Sequence, residues 1–333
     1  MSATTQEPEA PARDNSAPAW RAVFDRFGSS GPLLGLLVLV VVLTVMSDAF
    51  LTVNNLVNVF QQISVLAILA LGMTAVIITA GIDLSVGSVV GLSGVVAGWT
   101  FVEAELPMVI AFLAGLAVGA LAGFISGLMI TVGKLPPFIA TLAMLSMARG
   151  LALVISDGRP ISGYPDWFRD ITRYQIFGLV PPSVLLVVAL FVLGSAYLRY
   201  RPSGRALYAI GGNEEVARLS GLKVNLEKLK VYTAAGALAG LGGLILMSRL
   251  DSAQPTAATG MELDVIAAVV IGGASLAGGR GSMSGTLVGA LIIGVLRNGL
   301  NLLDVSAFWQ QVIIGAVIAI AVMTDTLRRR SKR

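Results

Sequence analysis

Long runs of almost uninterrupted apolar residues recur along the chain, and they constrain its fold more than any other feature. An α-helix needs about 20 apolar residues to cross the hydrocarbon core of a bilayer, and these runs approach that length. The chain is 56% hydrophobic and only 13% charged, whereas an average soluble domain has about 25% charged residues. The runs lack the period-2 alternation of outer-membrane strands. The sequence therefore predicts an all-α, polytopic transmembrane helical bundle.

Ten runs qualify as candidate spans. They cover 32–50, 56–80, 84–100, 107–130, 137–155, 182–199, 229–249, 263–278, 283–300 and 308–326. The second and third are separated only by the tripeptide Gly81-Ile82-Asp83, and the eighth is short. Eight or nine spans therefore remain an alternative to about ten.

Basic residues gather on one side of these spans. If the N-terminus lies inside and there are ten spans, 17 of the 23 Lys and Arg residues fall in the inner segments or at their edges. That bias follows the positive-inside rule, so we expect both termini in the cytoplasm. The predicted organisation is a disordered, Pro- and Ala-rich cytoplasmic tail at 1–31, a transmembrane domain at 32–326 and a basic cytoplasmic C-terminus at 327–333.

The residue types that carry most enzyme and metal chemistry are missing. There is no Cys and no His, which removes thiolate and imidazole ligands and the usual proton shuttle. No Gly-x-x-x-x-Gly-Lys-Ser/Thr phosphate loop occurs, so the chain does not bind ATP in that way. Coupled carriers usually place ionisable groups mid-membrane, and the apolar runs hold few. We expect no cofactor, metal or catalytic residue here, and an energy source on another polypeptide.

A charged island at residues 199–230 interrupts the apolar pattern. It holds seven of the 23 Lys and Arg residues and lies between two candidate spans. The orientation above places it in the cytoplasm, together with the loop 200–228 that forms its centre. A loop of this size either rests on lipid or contacts a soluble partner.

The island contains a predicted short amphipathic helix at 213–220. Asn213 can act as its N-cap, Glu214 and Glu215 suit the positive end of a helix dipole, and Gly221 suits its C-terminal cap. Its apolar members are Val216, Ala217 and Leu219. Such a helix fits a groove on a soluble subunit.

Asp83 marks a second break, between the second and third runs. Ser85 or Ser88 can cap the helix that follows. The break is either a broken helix that lines a pathway, with Asp83 making fixed polar contacts, or a tight turn at the membrane surface.

Two more residues modify the pattern. Pro137, after Lys134, suits the first turn of a helix because its missing N–H is unpaired there anyway. Arg149 lies within an apolar run, where a charge normally faces protein or water. It either lines a cavity or reaches the outer interface and pairs with Asp157.

Four blocks of sequence together resemble a known transporter family. They are GMTAVIITAGIDLSVGS (72–88), KLPPFIATLAMLSMARGLAL (134–153), GRALYAIGGNEEVARLSGLKV (204–224) and DVIAAVVIGGASLAGGRGSMSGTLVGALIIGVLRNGLNLL (264–303). In this order and spacing they make the chain similar, over about residues 50 to 326, to the permease subunit of bacterial ABC importers of the ribose, xylose and arabinose group. The resemblance implies a multi-pass inner-membrane protein that translocates a monosaccharide.

The resemblance also implies partners. In that family two permeases form the pore, cytoplasmic ATPase subunits that hold ATP and Mg drive it, and a periplasmic binding protein delivers the sugar. The second permease would be an identical chain or a paralogue, the surroundings are membrane lipids, and no nucleic acid is expected. For this chain the resemblance implies an ATPase-docking element at Gly211, Gly212, Asn213, Glu214, Glu215, Val216, Ala217, Arg218, Leu219 and Gly221.

A neutral sugar requires hydrogen-bonding groups rather than charges along its pathway. Polar residues cluster near the start of the second run, where positions four apart share a helical face. The candidate pathway residues are Asn54, Asn58, Gln61 and Gln62 of this cluster, which also contains Asn55, together with Asp83 and, with less support, Asn298 and Asn301. The alternative is that these side chains form hydrogen bonds between helices.

Other functions remain open at this point. A permease for branched-chain amino acids or nucleosides follows a similar plan, although a zwitterion would favour charged groups in the pathway. A channel or facilitator would transport without ATP. An intramembrane enzyme is disfavoured, because no catalytic constellation can be assembled from the spans.

Overall fold

A computed structural model describes residues 31–176, 178 and 180–330 of the chain. The predicted tail at 1–31 falls outside this part except for Gly31, and 331–333 also lie outside it. The helices are α1 (Gly31–Met46), α2 (Val53–Ile78), α3 (Val86–Val102), α4 (Met108–Thr131), α5 (Pro137–Ile155), α6 (Asp166–Arg173), α7 (Pro182–Tyr200), α8 (Pro202–Gly212), α9 (Glu214–Leu219), α10 (Val224–Leu250), α11 (Met261–Ile271), α12 (Met283–Leu302) and α13 (Ala307–Arg330). Two short strands, β1 (Ile161–Ser162) and β2 (Ser252–Ala253), complete the described elements.

The predicted helical membrane protein is confirmed, although the number of spans is not. Among the described residues, six helices are long and apolar enough to cross a bilayer, namely α2, α4, α5, α7, α10 and α12. Shorter apolar helices cover Gly31–Met46, Val86–Val102 and Ala307–Ile320. The run 263–278 is helical only as far as Ile271, because Gly273 adopts a left-handed φ of 94°.

Helices α2 and α10 occupy the centre of the bundle. In the most apolar 18-residue stretch of each helix, 83% of the residues are buried in α2 and 72% in α10. The corresponding shares are 33% in α4, 28% in α5 and 22% in α7. The outer helices therefore present wide apolar faces away from the protein, as a bilayer environment requires.

Glycines allow α4 and α10 to approach each other closely. A Cβ at Gly123 would overlap the Tyr232 carbonyl oxygen and crowd the backbone of Gly236, and one at Gly236 would overlap the Gly119 carbonyl oxygen. Membrane helices often pack through small residues in this way, because backbones can then come into direct contact.

One end of the bundle, which we call the hairpin end, carries β1, β2 and α6. Strand β1 pairs antiparallel with β2, and Ile161 lies opposite Ala253. Tyr164, just before the amphipathic α6, and Phe168 within it pack against Ala253 and Ile161. Arg169 of α6 forms an ion pair with Asp251, 3.3 Å away at the end of α10.

We expect Gly123→Ala to destabilise the protein by about 2 kcal/mol, since the added methyl meets backbone atoms that cannot rotate away. The measurement is thermal unfolding in detergent followed by tryptophan fluorescence. The matched control is Gly35→Ala on α1, where an added Cβ meets nothing within 4 Å. Equal melting temperatures for the two variants would contradict the tight crossing.

Candidate functional site

The charged island folds into two short helices at the end of the bundle opposite the hairpin end. Pro202 occupies the first turn of α8, and the chain becomes extended at Asn213 (φ −160°) before α9 begins. We call the exposed side of α8 and α9, with the turn 220–223, the α8–α9 surface.

Both ends of α9 are capped as the sequence predicts. The Oδ1 of Asn213 accepts a hydrogen bond from the Val216 N–H at 3.0 Å. At the other end Gly221 has φ 85°, and the Leu222 N–H reaches back to the Ala217 carbonyl at 3.1 Å. This six-to-one bond defines a Schellman motif, which stabilises the carbonyls of the last turn. The six-residue helix is thus defined by its own sequence.

The three apolar residues of α9 point in different directions. Ala217 is buried and packs with Ile210 and Val224. Val216 and Leu219 are 57% and 83% exposed. Because positions three apart share a helical face, these two side chains form an outward apolar pair at the surface of the island.

The two glutamates of α9 also differ. Glu214 binds Arg218 at 3.0 Å within α9 and Lys228 of α10 at 2.5 Å. Partial burial favours the protonated form of Glu214, but the hydrogen bonds and charges of Lys228 and Arg218 outweigh it and lower the pKa of the carboxyl. The bond to Lys228 therefore persists through the neutral range and is lost only when the pH falls through that lowered value. Glu215 is exposed.

The end of α8 is packed directly against two breaks in the bundle. A Cβ at Gly211 would overlap the carbonyl oxygen of Ile78, the last residue of α2. The Gly279 N–H donates to that same oxygen at 2.9 Å, and the Tyr208 hydroxyl donates to the Gly281 carbonyl at 3.0 Å. The α8–α9 surface is therefore joined to the end of α2 and to the loop 272–282 with no intervening side-chain layer.

Asp83 lies in the non-helical segment between α2 and α3 and is 1% exposed. Its Oδ1 accepts from the Ser85 N–H at 2.8 Å and from the Ser85 hydroxyl at 2.6 Å. Ser85 occupies the N-cap position of α3, but its side chain does not cap the helix because its hydroxyl is directed to Asp83. Ser88 lies inside α3. Asp83 makes fixed polar contacts within its own turn.

The predicted pathway residues separate into two groups. Asn298 exchanges two hydrogen bonds with Asn55, at 2.8 and 3.0 Å, and both side chains are buried between α2 and α12. Gln61 donates to the Thr172 carbonyl of α6 at 2.7 Å. These contacts hold helices together. The exposed Asn54 and Asn58 and the half-buried Gln62 share one face of α2 and remain the pathway candidates there.

Arg149 does not pair with Asp157. Its Nη1 donates to the carbonyls of Pro255 at 2.6 Å and Ala257 at 3.1 Å, while Asp157 forms an exposed ion pair with Arg159 at 3.9 Å. Arg149 thus fixes the segment that leads from β2 into α11.

Sequence reasoning missed one ion pair within the bundle. Arg297 of α12 donates to Asp264 of α11, with Nη2 and Oδ2 2.5 Å apart. The signal was present, because both are ionisable residues in apolar runs and such residues mark functional positions in membrane proteins.

We expect Asn213→Ala to weaken the first turn of α9 by about 1 kcal/mol, which is typical of a lost N-cap. The amide of Val216 should then exchange its hydrogen about fivefold faster. The control is Ser220→Ala, which removes a hydroxyl at the other end of the helix whose one hydrogen bond within the described part of the chain is to the Val216 carbonyl. Unchanged exchange at Val216 in Asn213→Ala would contradict the capping role.

Comparisons with known proteins agree on one family. The model described as "Branched-chain amino acid transport system / permease component" matches residues 55–322. The chain is 49% identical over 297 residues to the ribose import permease protein RbsC of Bacillus subtilis, covering 89% of this chain and 92% of that protein. It is 46% identical to the Escherichia coli K12 protein of the same name, over 89% and 93% of the two chains. It is 34% identical to the xylose transport system permease protein XylH of Haemophilus influenzae, over 90% and 96%. The chain belongs to this family of transport-system permease components and is a multi-pass integral membrane protein.

Proposed function

We propose that this chain is the membrane-spanning permease subunit of a bacterial ABC importer that carries a monosaccharide, ribose or a close relative, across the inner membrane. The observation that carries the proposal is the identity of 45–49% over most of the chain to proteins named ribose import permease. Relatives named for allose and xylose extend the same substrate class. The chain itself is the pore subunit rather than an enzyme, and ATP and Mg belong to the partner.

The proposed topology has ten spans with both termini in the cytoplasm. Each of the ten apolar runs contains one helix, and α11 is the short member. The basic α8–α9 surface and the C-terminal end of α2 lie together, while β1, β2 and α6 lie at the opposite end. This arrangement agrees with an inner face at the α8–α9 surface and a periplasmic face at the hairpin end.

The α8–α9 surface is the proposed docking site for the ATPase. Val216 and Leu219 form an exposed apolar pair on this surface, and the exposed carboxylate of Glu215 lies beside them. Gly211 connects that surface directly to the end of α2 and to the loop 272–282 that follows α11. A movement of the surface would therefore be transmitted to both segments. A tilt of α8 on ATP binding would shift both breaks, because packed interfaces of this kind move as rigid units.

Two further partners belong to the proposal. A periplasmic binding protein would deliver the sugar to the hairpin end, and a second permease, identical or paralogous, would complete the pore. A branched-chain amino acid permease is the second candidate function, since the family model carries that description.

We expect ribose uptake into proteoliposomes only when this chain is combined with its ATPase, a ribose-loaded binding protein and ATP. Leucine should not be accumulated under the same conditions. Uptake by this chain alone would instead establish a facilitator, and accumulation of leucine but not ribose would establish the amino acid permease.

We expect Val216→Asp combined with Leu219→Asp to weaken ATPase association by at least about tenfold, because two apolar contacts at the centre of an interface are replaced by charges. The measurement is co-purification of the ATPase with the permease, followed by ATP-driven uptake. The control is Leu226→Asp, an exposed leucine in the first turn of α10.

Charge reversal at Glu215 tests the same surface without disturbing the fold. Glu215→Arg should weaken association, whereas Glu214→Arg also breaks the bond to Lys228 and so changes the position of α9. If association and uptake both survive the aspartate pair and Glu215→Arg, the docking role is wrong.

A further inference from the structure

A polar cavity lies at the hairpin end, between the first turn of α11, the second half of α12 and the first half of α13. Its volume is about 400 Å³, within the range of small-molecule sites. The polar side chains that line it are Thr259, Asp264, Arg297, Gln310 and Gln311. The hollows at the start of α2 and between α2 and α7 are lined almost entirely by apolar side chains. A second polar hollow, of about 450 Å³, lies at the α8–α9 end between α4, α5, α9 and α10.

The Asp264–Arg297 ion pair gives this cavity its chemistry. The Asp264 side chain is only 9% exposed and that of Arg297 is 36% exposed. Taking two charges out of water is costly, so the pair is not explained by stability alone. Within the described part of the chain one hydrogen bond joins them. That leaves Oδ1 of Asp264 as an acceptor and Nε and Nη1 of Arg297 as donors.

Neighbouring amides extend this set of donors and acceptors. The Nε2 of Gln310 donates to Asn301 Oδ1 at 2.7 Å and to the Val305 carbonyl at 2.8 Å, so its Oε1 remains an acceptor. Gln311 is exposed at the cavity and has no hydrogen bond to the described residues. Adjacent donors and acceptors match the hydroxyls of a sugar, each of which can both donate and accept.

The charges of Asp264 and Arg297 cancel each other. A neutral, hydroxyl-rich molecule can use the free atoms while the ion pair stays intact. A zwitterionic amino acid would have to separate the pair, because its ammonium and carboxylate groups need one charge each.

Arg149 holds one wall of the cavity in place. Its bonds to the carbonyls of Pro255 and Ala257 fix the segment 254–260, whose last residues Ala258, Thr259 and Gly260 line the cavity. Arg149 is therefore a positioning residue for this wall, and α5, which carries it, is linked to the cavity.

We propose that the cavity lined by Asp264 and Arg297 is a monosaccharide-binding site on the transport path. The sugar would occupy it after entering the permease from the hairpin end. This inference rests on the proposed sugar-importer function and adds the site and its residues. Five observations of the same cavity carry it: its volume, its buried ion pair, the unused polar atoms, the two glutamines and the fixed wall.

The decisive variant fills the cavity without disturbing the packing. Gly315 of α13 lines the cavity, and a Cβ added there meets nothing within 4 Å. Gly315→Leu should therefore fold and displace the sugar. Gly35→Leu on α1 is the matched control, because its Cβ also meets no neighbour and it does not line the cavity.

Binding is measured by saturation-transfer NMR with ribose on the permease–ATPase complex in nanodiscs, without binding protein. We expect saturation transfer in the wild type and in Gly35→Leu, a loss of most of it in Gly315→Leu, and none with leucine as ligand. Equal transfer in Gly315→Leu and wild type, or no transfer to ribose in the wild type, would overturn the site.

Transport supplies an independent readout. Gln311→Ala should reduce ribose turnover in the complete proteoliposome system by about tenfold, in line with a lost hydrogen bond to substrate. The concentration of loaded binding protein that gives half-maximal uptake, and the amount of ATPase bound, should not change. Undiminished turnover in both Gln311→Ala and Gly315→Leu would refute the proposed binding site. Ribose uptake by the wild-type system would in that case still support the importer function. Absence of ribose uptake by the wild-type system would refute the importer function itself.

Discussion

The hydrogen bond from the Gly279 amide to the Ile78 carbonyl is the contact on which the α8–α9 end of the bundle depends. Non-helical backbone at membrane depth is tolerated only where protein or a water-filled cavity satisfies its polar groups. Here the end of α2 and the loop 272–282 satisfy each other. The bond also requires Gly211 beside it, because any side chain there would occupy the position of the Ile78 oxygen. Two helix breaks and the start of the proposed docking surface thus meet at one backbone oxygen.

The two ends of the molecule differ in how they are held. At the α8–α9 end, backbone contacts through glycines join the elements directly, which leaves little freedom for one to move alone. At the hairpin end, apart from the β1–β2 pairing, long side chains make the connections: Arg169 reaches Asp251, Arg149 reaches the segment before α11, and Arg297 reaches Asp264. Side-chain links of this kind can exchange partners as helices shift, so the hairpin end is the part of the bundle better suited to opening around a solute.

Local chemistry was readable from the sequence, whereas distant pairing was not. The caps of α9 and the start of α5 at Pro137 follow from residues within a few positions of each other. The Asn55–Asn298 pair joins residues 243 positions apart, and a single sequence carries no information on such a contact. For the same reason the sequence left Arg149 open between a cavity and Asp157, since Asp157 is near in sequence whereas its acceptors Pro255 and Ala257 are near only in space. Helix α11 ends at Ile271 rather than at 278, because Gly273 adopts a left-handed conformation. The apolar run itself does not indicate that this glycine ends the helix.

In α9, different residues maintain the fold and form the exposed surface, and this separation has an evolutionary consequence. Ala217 packs this helix against its neighbours, Glu214 ties it to Lys228, and the caps at Asn213 and Gly221 maintain its shape. Residues 216 and 219 can therefore change without altering the fold. Under the proposed docking role, a duplicated copy of this chain acquires a different ATPase through substitutions at two surface positions, while its membrane domain and its solute remain the same.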